Sequence, residues 1–240
     1  KFNHFSSLGI SIPIKNGFWA PIPQYDAFDS FSEIFIQNEY KDIIPDIAFD
    51  RIIDVGANYG YFTIWLQSLQ PKQNLNALLI EPSRNCIQAL TELTRYSCYS
   101  NCLQVENGCI GNPSESSLDF FERPFMASSA FRNSIDESTY KVKILDEDEI
   151  LGKSPPPYDL MKCDIEGSEW ELLCHYPNVI SQCQYLLIEW HSWHSGGGGI
   201  SQITKKLKNL NFEIEKKTEE QMATGREGEV GLILAKNLLY

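Results

Sequence analysis

Short, almost wholly apolar runs alternate with amphipathic segments from about Asp50 onward, and this alternation constrains the fold more than any other feature. Strands of a buried parallel sheet are near-continuous apolar runs, and their connections are helical. The pattern therefore predicts an α/β fold: a doubly wound, mostly parallel sheet with helices on both faces. The predicted strands cover residues 51–55, 77–81, 102–105, 158–163 and 185–189, and the predicted helices cover residues 59–70, 83–97, 167–175 and 200–210.

The C-terminal part of the chain has a different pattern. Residues 212–216 alternate between apolar and polar, and residues 230–235 are apolar, with no room for a crossover helix between them. Two strands joined by a loop form an antiparallel pair, so we expect a seven-stranded sheet with a C-terminal antiparallel strand. Residues 118–122 and 140–144 also alternate and predict a small β insertion.

The length of 240 residues fits one α/β domain with a short extension better than two domains. Residues 1–46 are rich in aromatic side chains, contain Pro13, Pro21 and Pro23, and show a helical pattern near residues 29–41. We interpret residues 1–46 as a lead segment that packs on the main domain, residues 47–240, over its functional site.

Acidic residues outnumber basic residues by 32 to 20, which gives a formal net charge of −12. Such a surface repels phosphate backbones and anionic membranes, so a general nucleic-acid binder is disfavoured. No apolar run approaches the roughly 18 residues that a membrane-spanning helix needs. Seven cysteines without a regular framework predict free thiols and a cytoplasmic protein. The chain begins at Lys1 rather than Met, so the removal of a leader segment is left as an open alternative. No pattern in the sequence indicates an oligomeric state.

A glycine loop, residues 54–60, directly follows the first apolar run and precedes a helix. Gly56 permits a tight turn, and N–H groups at the following helix start can approach a ligand closely. Asn58 stands where a dinucleotide fingerprint needs glycine, and no Gly-Lys-Ser/Thr follows, so NAD and a P-loop are disfavoured. Asp54 would be unfavourable beside a pyrophosphate but suits a ligand with ammonium and sulfonium charges. The loop therefore predicts S-adenosylmethionine as the cofactor.

Glu81 ends the second predicted strand. In open α/β sheets, ligands bind outside the carboxyl ends of the strands, where an acid can accept hydrogen bonds from both ribose hydroxyls. A surface carboxylate without a ligand is the alternative interpretation. The order of strand, loop, helix and acid favours the nucleoside role.

Five motifs in order make the chain similar to the FkbM family of O-methyltransferases, from about Phe31 to Tyr240. The most specific is Lys-Cys-Asp-Ile-Glu-Gly-Ser-Glu at residues 162–169, which resembles the family signature Lys-x-Asp-x-Glu-Gly-x-Glu. Cys163 stands there in place of a commoner aliphatic residue. The other four motifs are residues 53–62, 80–82, 105–111 and 187–191.

The resemblance implies a Rossmann-like class I methyltransferase that methylates a hydroxyl of a sugar, glycan or polyketide-like small molecule. The acidic net charge predicts that nucleic acid is not a partner. A catalytically inactive methyltransferase-like binding module is the main alternative, and an NAD-dependent oxidoreductase is a less favoured one. The residues predicted to bind S-adenosylmethionine are Asp54, Gly56, Ala57, Asn58, Gly60, Tyr61, Glu81, Pro82, Asn107 and Asp164.

The predicted catalytic residues are His191, Asp164 and Glu189, where the fourth and fifth strands end. A general base typically adds about 10²–10⁴-fold to a rate. His191 is the first candidate, because an unperturbed imidazole pKa of about 6.5 leaves the ring mostly neutral at cell pH. Glu189 lies on the same side of the strand and is expected to orient that ring. Asp164 is the alternative base, and a histidine that only packs against the strand is the alternative interpretation.

A metal site built from Asp164, Glu189, His191 and His194 is chemically feasible, since carboxylates and imidazole suit a divalent ion. Only the His191-x-x-His194 spacing supports it, so we predict no metal.

Two further interpretations concern paired acidic and paired small side chains. Glu166 and Glu169 are interpreted as acids that favour the N-terminus of the next helix. Ser128 and Ser129, in a small-residue stretch that resembles the family, are expected to line the acceptor pocket.

Overall fold

The computed structural model describes residues 7–70, 74–96, 99, 102–122, 138–193, 199–222 and 228–240. The strands in these ranges are β1 (Ser7–Pro13), β2 (Trp19–Gln24), β3 (Arg51–Val55), β4 (Asn76–Glu81), β5 (Leu103–Asn107), β6 (Ser117–Glu122), β7 (Ser138–Lys143), β8 (Tyr158–Cys163), β9 (Cys183–His191), β10 (Phe212–Lys217), β11 (Gln221–Met222) and β12 (Glu229–Asn237). The α-helices are α1 (Ala27–Phe31), α2 (Tyr61–Leu69), α3 (Arg84–Leu93), α4 (Glu147–Lys153), α5 (Glu169–His175), α6 (Pro177–Ile180) and α7 (Gly199–Asn209).

The central sheet has the strand order β10-β12-β9-β8-β3-β4-β5, with the short β11 added beside β12. Neighbouring strands from β9 to β5 are parallel. β12 is antiparallel to its three partners β10, β11 and β9, and the described residues between β10 and β12 contain no helix. The predicted fold class, a mostly parallel Rossmann-like sheet with a C-terminal antiparallel strand, is confirmed.

The strand order reverses at β3. From β3 the chain adds β4 and then β5 on one side, and later adds β8 and β9 on the other. Ligands of doubly wound sheets bind at such a reversal, outside the carboxyl ends of the strands. The ends of β3, β4, β8 and β9 therefore define the edge where a functional site is expected.

Two apolar cores cover the two faces of this sheet. Ile52 lies in the core that contains α2 and α3, and Ile53 lies in the core that contains α5, α6 and α7. Successive side chains of a strand point to opposite faces, so a strand buried on both sides must be apolar throughout. This explains the uninterrupted apolar runs in the sequence.

The helices agree with the predictions in place but not always in length. α3 begins after Ser83, whose side chain accepts a hydrogen bond from the Cys86 N–H at 3.3 Å, and it ends before the predicted limit of residue 97. The predicted N-terminal helix is divided into α1 and the π-helical turn Ser32–Ile36. α4 and α6 were not predicted, and the four residues of α6 are too few to show a helical period.

The described part of the lead segment packs on the main domain through a hairpin that the sequence did not predict. β1 and β2 pair in antiparallel orientation. The hydroxyl of Tyr61 in α2 donates to the carbonyl oxygen of Pro21 at 2.6 Å, and the side-chain amide of Asn16 donates to the carbonyl oxygen of Ser68 at 2.6 Å. The side chain of Ile22 is fully buried.

The predicted β insertion is present, since β6 and β7 form a separate antiparallel pair. The loop with Ser128 and Ser129 lies outside the described residues. The six cysteines within the described ranges are free thiols, as predicted, and Cys98 lies outside them. No helix among the described residues is long and apolar enough to cross a membrane.

Candidate functional site

The loop after β3 lies tightly against the end of β8. Gly56 has a φ of 74°, and a Cβ atom at this position would lie 1.8 Å from the carbonyl oxygen of Asp164. Gly60 has a φ of 77°, and its Cβ would lie 2.9 Å from a methyl carbon of Leu90. Both positions need glycine for backbone conformation and for close packing within the protein. The tight turn predicted at Gly56 is present, and the backbone of Asp164 is what a side chain there would meet.

The same loop is hydrogen-bonded to the end of β4. The N–H groups of Gly56 and Ala57 both donate to the carbonyl oxygen of Ile80, at 3.0 and 3.2 Å. The Tyr61 side chain lies in the core and donates to the lead segment. Only its backbone N–H, in the first turn of α2, is therefore placed to face a ligand.

Glu81 is buried at the end of β4 but keeps hydrogen-bonding capacity. Its carboxylate accepts the N–H groups of Asn58 and Ser83, each at 2.7 Å. Burial raises the pKa of Glu81 to about 7 against the opposing effect of these two donors. A carboxylate has about four lone-pair sites, so roughly two remain for ligand hydroxyls. The Asn107 amide donates to the carbonyl oxygens of Glu81 and Pro82, at 3.0 and 3.3 Å.

Lys162 is a buried cation that joins β3 to the end of β8. Its Nζ donates to the Gly56 carbonyl oxygen at 3.0 Å and lies 3.3 Å from Asp164 Oδ2. Burial lowers the pKa of Lys162, but the carboxylates of Asp164 and Asp54 outweigh it, so the net shift is upward and the ammonium stays protonated. Sequence reasoning missed this role, although Lys162 opens the most specific motif.

Asp54 is fully buried beside this ammonium. Its Oδ2 accepts the Thr63 hydroxyl at 2.7 Å, and its Oδ1 lies 3.9 Å from Lys162 Nζ. Oδ1 has no hydrogen-bond partner within the described part of the chain. Burial raises the pKa of Asp54, while Lys162 and Thr63 oppose the shift. An unsatisfied carboxylate oxygen here fits a cationic ligand group.

His191 is oriented by Glu169, not by Glu189 as predicted. The His191 ring is buried at the end of β9, and its Nδ1 lies 2.8 Å from Glu169 Oε1. Glu169 is fully buried, and the same oxygen accepts the N–H groups of Ile165 and Gly167. Glu169 does lie in the first turn of α5, where an acid was predicted to favour the helix N-terminus, but its buried carboxylate also pairs with His191.

The expectation of a neutral His191 was also wrong. Burial lowers the pKa of the imidazole, but the carboxylates of Glu169, Glu166 and Glu189 outweigh it and raise the pKa to about 10. The ring is therefore an imidazolium at neutral pH. A protonated imidazole cannot accept the proton of a substrate, so His191 in this state is not a general base.

Further carboxylates make this end of the sheet strongly acidic. Burial, with Asp164 and Glu39, raises the pKa of Glu189 well above its usual range, although His191 opposes the shift. Burial, Glu39 and Asp164 likewise raise the pKa of Glu33 to about 8. Glu33 and Glu39 belong to the lead segment, so this segment reaches the strand ends. Sequence periodicity did not indicate that these two acids lie near the strand ends, because periodicity cannot show where an irregular segment lies.

Three side chains at the sheet edge bring potential metal ligands together. One ligand atom each of Asp164, Glu166 and His191 lie within 4.8 Å of one another. This set shares Asp164 and His191 with the four residues considered from the sequence, but it contains Glu166 instead of Glu189. His194 lies outside the described residues.

The switch-point sheet, the glycine loop and the acids at the strand ends define a Rossmann-like methyltransferase. The Methyltransferase FkbM domain family matches residues 54–214, more than half of the chain, so the chain belongs to the FkbM methyltransferase family.

Two of the known proteins that are similar to the chain are the following. The hexuronic acid methyltransferase AglP of Haloferax volcanii is 25% identical over 182 residues, which cover 74% of this chain and 70% of that protein. The crystal structure of the methyltransferase FkbM from Methylobacillus flagellatus KT matches with a TM-score of 0.54 at 18% identity. That match covers 80% of this chain and 45% of the other, so this chain spans less than half of that protein's length. At this identity the likeness shows the fold alone.

Proposed function

We propose that this chain is an S-adenosylmethionine-dependent O-methyltransferase that methylates a hydroxyl of a sugar or glycan. The observation that carries the proposal is Glu81, a buried carboxylate with free acceptor capacity beside the glycine loop. Membership of a methyltransferase family supports the reaction class. The relative named as a hexuronic acid methyltransferase supports a sugar acceptor.

The groups at the strand ends fit this cofactor. The remaining lone pairs of Glu81 suit the two ribose hydroxyls, and the unsatisfied Oδ1 of Asp54 with the carboxylate of Asp164 suits the ammonium group. The Asn107 amide binds the backbone carbonyl groups of Glu81 and Pro82 and so holds the nucleoside end of the site in place. When bound, S-adenosylmethionine supplies an electrophilic methyl group on a sulfonium.

At the acceptor end, Glu189 is the best placed proton acceptor. Its carboxylate accepts no hydrogen bond from the residues that the structure describes, whereas Glu169 is committed to His191. An uncommitted carboxylate at the sheet edge can take the proton of a substrate hydroxyl as the new O–C bond forms. Burial, Asp164 and Glu39 raise the pKa of Glu189, which makes its ionised form a stronger base, while His191 and Lys162 limit the shift.

Calorimetry with S-adenosylhomocysteine and NAD, followed by transfer of labelled methyl to a panel of sugars that includes hexuronic acids, tests the proposal. We expect binding of S-adenosylhomocysteine only, and label in a hydroxyl of at least one sugar. Glu171→Gln is a matched control, because Glu171 pairs with His175 away from the site, at 3.2 Å. Binding of S-adenosylhomocysteine without transfer to any sugar would instead support the inactive binding module.

A further inference from the structure

The strongest unassigned cluster consists of Asp164 and Glu166, which follow β8, and His191, which ends β9. One ligand atom from each lies within 4.8 Å of the other two, and His191 Nε2 lies 4.0 Å from Glu166 Oε1. Metal bonds to nitrogen and oxygen of about 2.0–2.2 Å hold ligand atoms of one ion roughly 3.0–4.4 Å apart. Small side-chain adjustments would therefore bring the three atoms to ligating distances.

The His191 ring is held in the orientation that a metal ligand needs. Metal-bound histidines almost always donate their other ring N–H to a carboxylate or carbonyl group, which fixes the tautomer and the ring plane. Here Nδ1 faces the fully buried carboxylate of Glu169 at 2.8 Å. Nε2 has no hydrogen-bond partner among the described residues, although only 2% of the His191 side chain is exposed.

Trp193 fixes the separation between the two strand ends. Its Nε1 donates to the backbone carbonyl oxygen of Glu166 at 3.1 Å, and its ring centroid lies 4.7 Å from that of His191. The Trp193 side chain thus contacts both Glu166 and His191, whose ligand atoms face each other. A cluster held in this way is preorganised, since little conformational freedom remains to be lost when an ion binds.

We propose that Asp164, Glu166 and His191 bind one divalent metal ion of the Mn²⁺ or Mg²⁺ class. Carboxylates suit these hard cations, and one imidazole favours Mn²⁺ over Mg²⁺. The two carboxylates offset the two charges of the ion, and Nε2 releases its proton to solvent when it ligates. Three protein ligands leave coordination positions open for oxygens of the acceptor.

The role of the ion, unlike its binding, rests on the proposed methyl transfer. A divalent ion acts as a Lewis acid and lowers the pKa of a hydroxyl that it binds. The acceptor hydroxyl would then give up its proton to the neighbouring Glu189 more readily. The same ion would offset the negative charge of the site, which otherwise repels an acidic sugar such as a uronic acid.

Titration of the chelator-treated protein with Mn²⁺, followed by electron paramagnetic resonance, tests the binding without any activity assay. We expect one bound ion per chain, and an affinity at least about tenfold lower in Asp164→Asn and in Glu166→Gln. Glu169→Gln, which weakens the support of His191, should lower the affinity by about 10–100-fold. Glu171→Gln removes a carboxylate next to another histidine and should bind Mn²⁺ like the wild type.

Circular dichroism of each variant distinguishes loss of folding from loss of a metal ligand. Glu166 is partly exposed, so Glu166→Gln is the variant least prone to unfold. Equal Mn²⁺ affinity in wild type and folded Glu166→Gln would overturn the proposal, as would wild-type protein that binds no Mn²⁺. If S-adenosylhomocysteine binds and methyl transfer proceeds in the presence of chelator, the catalytic role of the ion is overturned while the proposed function stands. One Mn²⁺ bound with no transfer to any sugar would contradict the proposed function instead.

Discussion

Cofactor affinity should depend on pH through Glu81. Burial raises the pKa of this carboxyl to about 7, and its ionised form is the one that accepts two hydroxyl donors. Above pH 7 the carboxylate is ionised and binding is tight, whereas below pH 7 the group is protonated and loses acceptor capacity.

The size of the expected change in Kd depends on the ionised fraction of Glu81. With a pKa near 7 that fraction falls about tenfold between pH 8 and pH 6, and one pKa unit corresponds to about 1.36 kcal/mol. If only the ionised form binds, the Kd for S-adenosylhomocysteine should rise about tenfold over this interval. Glu81→Gln should weaken binding at pH 8, since a hydrogen bond to a charged group contributes about 1.5–3 kcal/mol.

Isothermal titration calorimetry with S-adenosylhomocysteine at pH 6, 7 and 8 measures this effect in wild type and in Glu81→Gln. The ligand's own amino group contributes equally to both proteins, so the difference between their pH slopes reports Glu81. Glu106→Gln is the control, because Glu106 lies on the neighbouring β5 and pairs with Lys153 at 2.8 Å. The same slope in wild type and Glu81→Gln would refute the ribose role of this carboxylate.

Four other single variants and one double variant test the rest of the site. Gly56→Val should destabilise the fold by about 2–3 kcal/mol or more, measured by thermal unfolding, because its Cβ would lie 1.8 Å from the Asp164 carbonyl oxygen at a positive φ; an unchanged Tm would contradict this loop geometry. Glu189→Gln should lower kcat about 10²–10⁴-fold with unchanged calorimetric affinity for S-adenosylhomocysteine; a rate within about twofold of wild type would remove Glu189 as the base. Glu169→Ala and His191→Ala should each destabilise the fold by about 3–5 kcal/mol, since each leaves a buried charge unpaired. Their double variant, followed by chemical denaturation, should show a coupling of about 1–3 kcal/mol, and additive effects would contradict an energetic role for their contact.

The sequence by itself determined the sheet and the location of the site. Strands buried on both faces must be apolar throughout, and β3, β4, β8 and β9 are each recognisable from a few consecutive residues. The carboxyl ends of parallel strands share one edge, so Glu81 and Asp164 could be assigned to a common site without coordinates. The strand predictions succeeded because they depend on local patterns, whereas the site assignment stays a prediction from the general geometry of doubly wound sheets.

Only the tertiary structure decided the charges and the partners at that edge. Glu169 and His191 lie 22 residues apart, on α5 and β9, and no local pattern indicates that they pair. The acids Glu33 and Glu39 come from a segment whose path over the domain is set by packing. Neighbours from distant parts of the chain and the degree of burial together fix a pKa. The protonation of His191, and with it the choice of base, therefore could not be obtained from the sequence alone.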